Sequence, residues 1–166
     1  MNVQVRCDNK LLIPDIVASH KGSTHDSRIF NESTLKTKLE GLPGYLHCLG
    51  DRGYACQRFL LSPLANPRTV PERCYNFVHS STRMVTERTF GIWKRFLPCL
   101  SKGLNFNPEE CVVLIVAAAV LYNFARPCNE LEDEDIEFDD DDNYGQDNGN
   151  AQGQAKRIVI ICDYFT

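Results

Sequence analysis

Apolar and polar residues alternate at the start of the chain, where Val3, Val5 and Cys7 are separated by polar neighbours and Asp8-Asn9-Lys10 supplies turn chemistry. Residues 2 to 7 and about 11 to 18 are therefore expected to form a strand pair. A polar, glycine-containing loop follows from Ser19 to Asp26. Within His25-Asp26-Ser27, Asp or Ser can accept from the exposed amides of a first helical turn, so a short helix through Asn31 is expected. Leu35 and Leu39 sit four apart and mark another short helix, ended by Pro43 and Gly44. Tyr45 to Leu49 reads as a short apolar strand stopped at Gly50, which places Asp51 where the strand opens into a loop.

Prolines at positions 63, 67 and 71 argue against a long helix or a central strand over residues 62 to 73. From Tyr75 to Phe96 the period turns helical: Val85, Ile92, Trp93 and Phe96 share a stripe, while Arg83, Glu87 and Lys94 fall on a different face. Asn107-Pro108-Glu109-Glu110 is a strong helix start, with Asn as cap, Pro at the first position and Glu110 completing a box-like arrangement. That helix is expected to run to about Ala125, apolar on most sides and so buried. Its longest apolar run, Cys111 to Leu121, is short for a bilayer, and no membrane association is expected.

Composition changes sharply after Arg126-Pro127. Residues 127 to 156 hold Glu132-Asp-Glu-Asp and Asp139 to Asp142, then Asn, Gly and Gln, and are expected to form an acidic disordered tail. Residues 157 to 166 contain Ile158-Val-Ile-Ile-Cys162 and read as a short β-like segment. The formal charge of −4 hides a segregation: residues 1 to 130 carry 16 Lys+Arg against 11 Asp+Glu, and residues 131 to 166 carry 2 against 11. A mildly basic body thus bears a strongly acidic end, compatible with nucleic acid without requiring it. The eight cysteines show no C-x-x-C pair and no zinc-ligand spacing with histidine, which favours a reduced, intracellular protein. Met1 leads straight into the first strand, so no signal peptide is expected.

The ordered blocks Asn2-Val-Gln-Val, Gly22-Ser-Thr-His-Asp-Ser-Arg-Ile-Phe30, Gly50-Asp-Arg-Gly-Tyr54, Leu61-Ser-Pro63, residues 76 to 83, Glu87-Arg-Thr-Phe-Gly91 and Val120-Leu-Tyr-Asn123 resemble the PIF/Harbinger transposases and the Harbinger transposase-derived nucleases. The resemblance covers residues 1 to about 126, a partial DDE transposase or nuclease domain. It implies an α/β fold, an RNase H-like mixed sheet flanked by helices and N-terminally truncated. It also implies a DNA endonuclease that hydrolyses phosphodiester bonds with divalent metal, Mg²⁺ or Mn²⁺. Asp51 and Glu87 match the family's second and third catalytic carboxylates, and Asp26 of His-Asp-Ser is a further metal-site candidate. The first aspartate lies in an Asp-Gly-Thr-His segment on a strand upstream of the one that begins this sequence. DNA as substrate, a Myb-like DNA-binding companion and a nuclear location, with the cytoplasm second, follow as expectations from the same likeness.

Hard carboxylate oxygens suit Mg²⁺, which takes one or two protein carboxylates and keeps its waters and substrate phosphates. Arg83, Arg88, Lys94 and Arg95 are candidates for phosphate contacts, although any exposed helix carries such side chains. Each acidic candidate also has a purely structural reading. Asp51 could shape the turn between Gly50 and Gly53, Glu87 could pair with Arg83, Asp26 could cap its helix, and His25 could bond locally. Because the first aspartate is missing from the sequence, a catalytically inactive remnant that binds DNA or protein stands beside the nuclease.

Overall fold

The structure is a computed structural model that describes residues 1–20, 22–128 and 149–165. Its contacts divide the chain into two compact units, Met1–Thr24 with Met84–Phe138, and His25–Arg83 with Asp139–Thr166. Each unit has its own apolar cluster. The long helix α3, Val70–Phe96, passes from the second unit into the first between Arg83 and Met84.

In the first unit, strands β1 (Asn2–Arg6) and β2 (Asp15–His20) pair antiparallel, with Gln4 opposite Val17 and Arg6 opposite Asp15. The second strand begins at Asp15, later than the alternation suggested, because residues 8 to 13 have other bonding partners. Asp8 Oδ1 accepts from Lys10 N and Leu12 N, both at 2.9 Å. Leu11 takes a left-handed φ of 62°. Ile13 turns its backbone to a side chain instead of a strand: its N–H donates to Asn123 Oδ1 at 2.8 Å, and its carbonyl accepts from Asn123 Nδ2 at 2.7 Å. Tyr122, fully buried, donates its hydroxyl to Leu11 O at 2.7 Å. The adjacent Tyr122-Asn123 pair thus holds a loop more than a hundred residues away.

Helix α5 (Pro108–Ala125) starts as expected, with Asn107 Oδ1 accepting from Glu110 N at 2.9 Å. It follows helix α4, Cys99–Lys102. The expectation that α5 is buried on most sides is corrected. Cys111, Ile115, Ala118, Tyr122 and Ala125 form a buried stripe, whereas Val113, Val120 and Phe124 stay 69, 63 and 80% exposed. By length and composition alone, Pro108–Cys128, a longer span than the Cys111 to Leu121 run, is apolar enough to cross a bilayer (mean hydropathy 1.8). That test is passed equally by core helices, and the buried stripe packs with Leu11, Ile13, Ala18, Ile92 and Trp93.

In the second unit, helix α1 (Asp26–Glu32) lies where the polar residues 25 to 27 announced a helix start, and α2 (Thr34–Glu40) where the Leu35–Leu39 spacing placed it. The first is capped at His25 rather than through Asp26 or Ser27, with no cap bond from the His25 side chain. The second ends at Gly41, two residues before Pro43. The expected strand from Tyr45 shrinks to β3, Cys48–Leu49, since Tyr45 is 76% exposed and buries no apolar face. It pairs in parallel with β4, Leu60–Leu61. Helix α3 starts at Val70 despite Pro71, because a first-turn residue needs no amide partner. Thr69 and Glu72 close a reciprocal capping box: Thr69 Oγ1 accepts from Glu72 N, and Glu72 Oε2 accepts from the amides of Thr69 and Arg68. Those two amides hold the Glu72 carboxyl below its usual pKa.

The largest departure from expectation is at the end of the chain. The segment read as β-like over 157–166 is helix α6, Ala151–Tyr164, which also takes in residues assigned to the acidic tail. Asn150 caps it by accepting from Gly153 N at 2.8 Å. Its buried residues are Gly153, Arg157 and Ile161, spaced by four, so the helical period lies in one glycine, one arginine and one isoleucine. Ile158 and Val159, which made the run look like a strand, are 59 and 55% exposed. Residues 129–148, which include most of the expected disordered tail, lie outside the described residues.

The α/β character holds, with small sheets rather than one large one. Both pairing directions of a mixed sheet occur, one in each two-stranded ladder. All eight cysteines are free thiols.

His79 on α3 is 4% exposed and its Nε2 lies 3.1 Å from Leu61 O. Burial, then the charges of Arg83, Arg157 and His47, push its pKa below the ordinary 6.5, against an upward pull from the Leu61 carbonyl. The unfolded chain therefore binds a proton at a pH where folded His79 is still neutral. Stability is full above the unfolded value and falls as pH drops through it toward the folded pKa. His79→Gln, which keeps an N–H donor for Leu61, should flatten this part of the profile. Urea unfolding of both proteins at about pH 7.5 and about pH 5.5 checks it.

Candidate metal and nucleic-acid site

Asp51 stands directly after β3, and the strand pair fixes where it leaves the sheet. Cys48 N donates to Phe59 O and Gly50 N donates to Leu61 O, both at 2.9 Å. The next residues fold into a tight turn in which Asp51 Oδ1 accepts from Gly53 N at 2.8 Å and Tyr54 N donates to Asp51 O at 3.2 Å. The turn reading of Asp51 is therefore correct as far as Oδ1 goes, and Oδ2 lies outside that bond.

The glycines here make room for other side chains. A Cβ on Gly50 would sit 3.0 Å from Tyr54 Cδ2 and 3.2 Å from Leu60 Cδ1, so the glycine lets the Tyr54 ring fold back on the strand. A Cβ on Gly53 would crowd Asp51 Oδ1 at 3.0 Å.

Tyr54 joins this turn to the start of α1. Its ring meets Phe30 edge to face at 5.8 Å, and α1 opens with Asp26. Burial, and then the charges of Asp26 and Asp51, push the Tyr54 phenol far above its usual pKa. Asp26 thus opens the helix whose Phe30 packs against Tyr54, and Asp51 opens the turn whose last amide is that of Tyr54. Tyr54 and Phe30 were not singled out from sequence. The signal was available in the aromatic residues that end the Gly50–Tyr54 and Gly22–Phe30 blocks.

Glu87 belongs to the first unit, on the part of α3 after Arg83, and is exposed. Thr89, Ile92 and Trp93 carry the buried side of the same stretch, and Thr89 returns its hydroxyl to Val85 O at 2.7 Å. Among the described residues, no group of three or more His, Cys, Asp or Glu side chains gathers as a metal cluster. By donor type, Asp51 and Asp26 nevertheless suit a hard cation that takes one or two carboxylates and fills its shell with water and phosphate.

Of the four basic candidates, Lys94 and Arg95 are exposed, and Lys94 Nζ lies 5.9 Å over the Phe90 ring. Arg83 is half-buried. Arg88 is turned inward, with its Nε buried, which removes it from the freely exposed set. A cleft of about 790 Å³ in the first unit, bordered by Val3, Trp93, Leu104 and Ile115, includes Lys94 but none of the acidic candidates.

A family model described as DDE superfamily endonuclease matches residues 1–123. The chain belongs to the DDE superfamily endonucleases. Within that family it is similar to Harbinger transposase-derived proteins. It is 36% identical over 129 residues to the Mus musculus protein named "Putative nuclease HARBI1", and 32% identical over the same length to the Homo sapiens protein of that name. Each match covers 75% of this chain and 37% of the relative, so the chain spans little more than a third of the length of these proteins. No solved structure matches it. The matched span of the family contains Asp26, Asp51 and Glu87, and it stops at Asn123, the residue that clamps Ile13.

Proposed function

We propose that this DDE-family chain is part of the catalytic domain of a divalent-metal-dependent DNA endonuclease with an RNase H-like core, and that Asp51, Asp26 and Glu87 are its acidic residues. The observation that carries this reading is the strand end and turn that hold Asp51, with Gly50 N bonded to Leu61 O and Gly53 N bonded to Asp51 Oδ1, inside the span that the endonuclease family matches. In an endonuclease family, carboxylates at a strand end and a helix start are the hard-oxygen donors that a divalent cation uses.

Asp51 and Asp26 would hold a Mg²⁺ or Mn²⁺ ion; the resemblance to the family is what assigns Glu87 as the third carboxylate. A bound divalent ion supplies activation of the attacking water or 3′-hydroxyl and stabilisation of the leaving oxygen. The turn bond to Gly53 fixes the Asp51 carboxylate in one rotamer, and Tyr54 stays a neutral phenol that adds no third negative charge. Lys94 and Arg95 offer phosphate contacts that depend on salt and not on base sequence. A nuclear location, with the cytoplasm second, belongs to the same reading.

A second reading, a binding module without turnover, is favoured by one observation: Lys94 and Arg95 are exposed and offer phosphate contacts that need no metal. Full-length protein incubated with supercoiled plasmid DNA decides between them. Nicking that needs Mg²⁺ or Mn²⁺ supports the endonuclease. Binding of the same DNA with no nicking in either metal supports the module.

A further inference from the structure

We propose that Arg157 and Lys156 of α6 are positioning residues for Asp51, acting as a clamp on the two strands that present it. The inference rests on the reading of Asp51 as a metal ligand and adds residues that no motif of the family blocks contains.

The β3–β4 ladder is two residues long on each side, so its own hydrogen bonds fix little. Helix α6 supplies the missing constraint. Arg157, 2% exposed, donates from Nη1 to Ser62 O at 3.2 Å and to Pro63 O at 3.3 Å, just past the end of β4. Lys156 Nζ donates to Leu46 O at 3.1 Å and to Arg58 O at 3.0 Å, gripping the approaches to β3 and β4 together. The helix is locked against this region at its start. A Cβ on Gly153 would fall 2.6 Å from Gln57 Cα, one on Gly149 would fall 2.7 Å from Cys56 O, and Asn150 N donates to Cys56 O at 3.0 Å.

The path to the carboxylate is short. Ser62 follows Leu61, whose carbonyl receives Gly50 N, and Asp51 is the next residue. A buried guanidinium holding the two carbonyls after Leu61 therefore sets the height of Gly50 on β4, and with it the position of Asp51. Metal ligands must be held within about 0.5 Å of working geometry, so loss of such a support is felt as lost metal affinity. A methionine in place of Arg157 keeps much of the apolar stem and removes both bonds.

The test is the Mn²⁺ dissociation constant of the full-length protein, read from free-ion electron paramagnetic resonance at equal folded fraction by circular dichroism. Arg157→Met is expected to weaken binding by about tenfold, in the range seen for outer-shell supports of metal ligands. Arg157→Lys should recover part of that loss. Lys156→Met, at a half-buried position that tolerates an apolar side chain, should shift affinity in the same direction by a smaller factor and carries the test if Arg157→Met does not fold. A purely structural role lowers the folded fraction and leaves the dissociation constant of the folded protein unchanged. That result in the folded variants, with Asp51→Asn still weakening Mn²⁺, overturns the clamp alone. If Asp51→Asn leaves Mn²⁺ binding intact, the metal reading falls and the clamp falls with it.

Discussion

Asp51→Asn should reduce metal-dependent DNA cleavage by the full-length protein about a thousandfold while leaving its fold intact. Asparagine keeps the side-chain oxygen that accepts from Gly53 N, so the turn at Gly50–Tyr54 survives. What it removes is the negative charge. A carboxylate that holds a catalytic cation contributes several kcal/mol of transition-state charge stabilisation, and each ~1.4 kcal/mol is a factor of ten in rate. The substitution therefore separates the two roles that Asp51 could have. If shaping the turn were its whole contribution, the asparagine protein would cleave at the parental rate. Plasmid nicking measured across a series of Mn²⁺ concentrations reads the difference. Rescue at high Mn²⁺ would show weakened ion binding, and loss at every concentration would show a misplaced ion.

Tyr122→Ala should be the most destabilising single change in the first unit. Tyr122 is fully buried among Leu11, Ile13, Ile92, Trp93 and Ile115, so truncation opens a cavity and costs about 3–5 kcal/mol. It also strips the Leu11 carbonyl of its hydroxyl donor at a residue already held at a positive φ. Tyr122→Phe isolates that second part and should cost about 1–2 kcal/mol, since a buried acceptor loses its partner while the ring remains. Trp93 is the sole tryptophan and lies in the same cluster, so its emission during urea unfolding reports this unit directly. An unchanged Trp93 transition in Tyr122→Ala would show that the 8–13 loop and α5 do not stabilise one another.

Local chemistry made some of this architecture readable and hid the rest. Asn107-Pro108 announced α5 to the residue, because cap and first-turn proline act through neighbouring amides. The strand end at Gly50 was equally visible, and so was the acidic residue after it. Features that depend on distant partners were not. The 11–13 loop fails to continue a strand because Tyr122 and Asn123 take its backbone, a contact spanning more than a hundred residues. The half-exposed α5 looked wholly buried because its exposed valines and Phe124 are as apolar as its core face. Helix α6 was mistaken for a strand for the opposite reason: its buried positions are a glycine that permits close approach, an arginine that bonds carbonyls and one isoleucine, so the exposed Ile158 and Val159 carried a false signal.

The site divides along the same line. Family blocks named Asp26, Asp51 and Glu87, and the first two share a unit with Tyr54, which packs on the helix that Asp26 opens. Tyr54 and Phe30 stood at the ends of those blocks, whereas the α6 cations could be weighed only once the chain was folded, because their carbonyl partners lie some 95 to 110 residues away.

Mn²⁺ binding by the full-length protein, compared with Asp26→Asn and Asp51→Asn, tests the central claim most directly. If the two carboxylates hold one ion, each substitution weakens the same binding event by at least about tenfold, and the double variant is little worse than the weaker single one. Unaltered Mn²⁺ affinity in both single variants would contradict it.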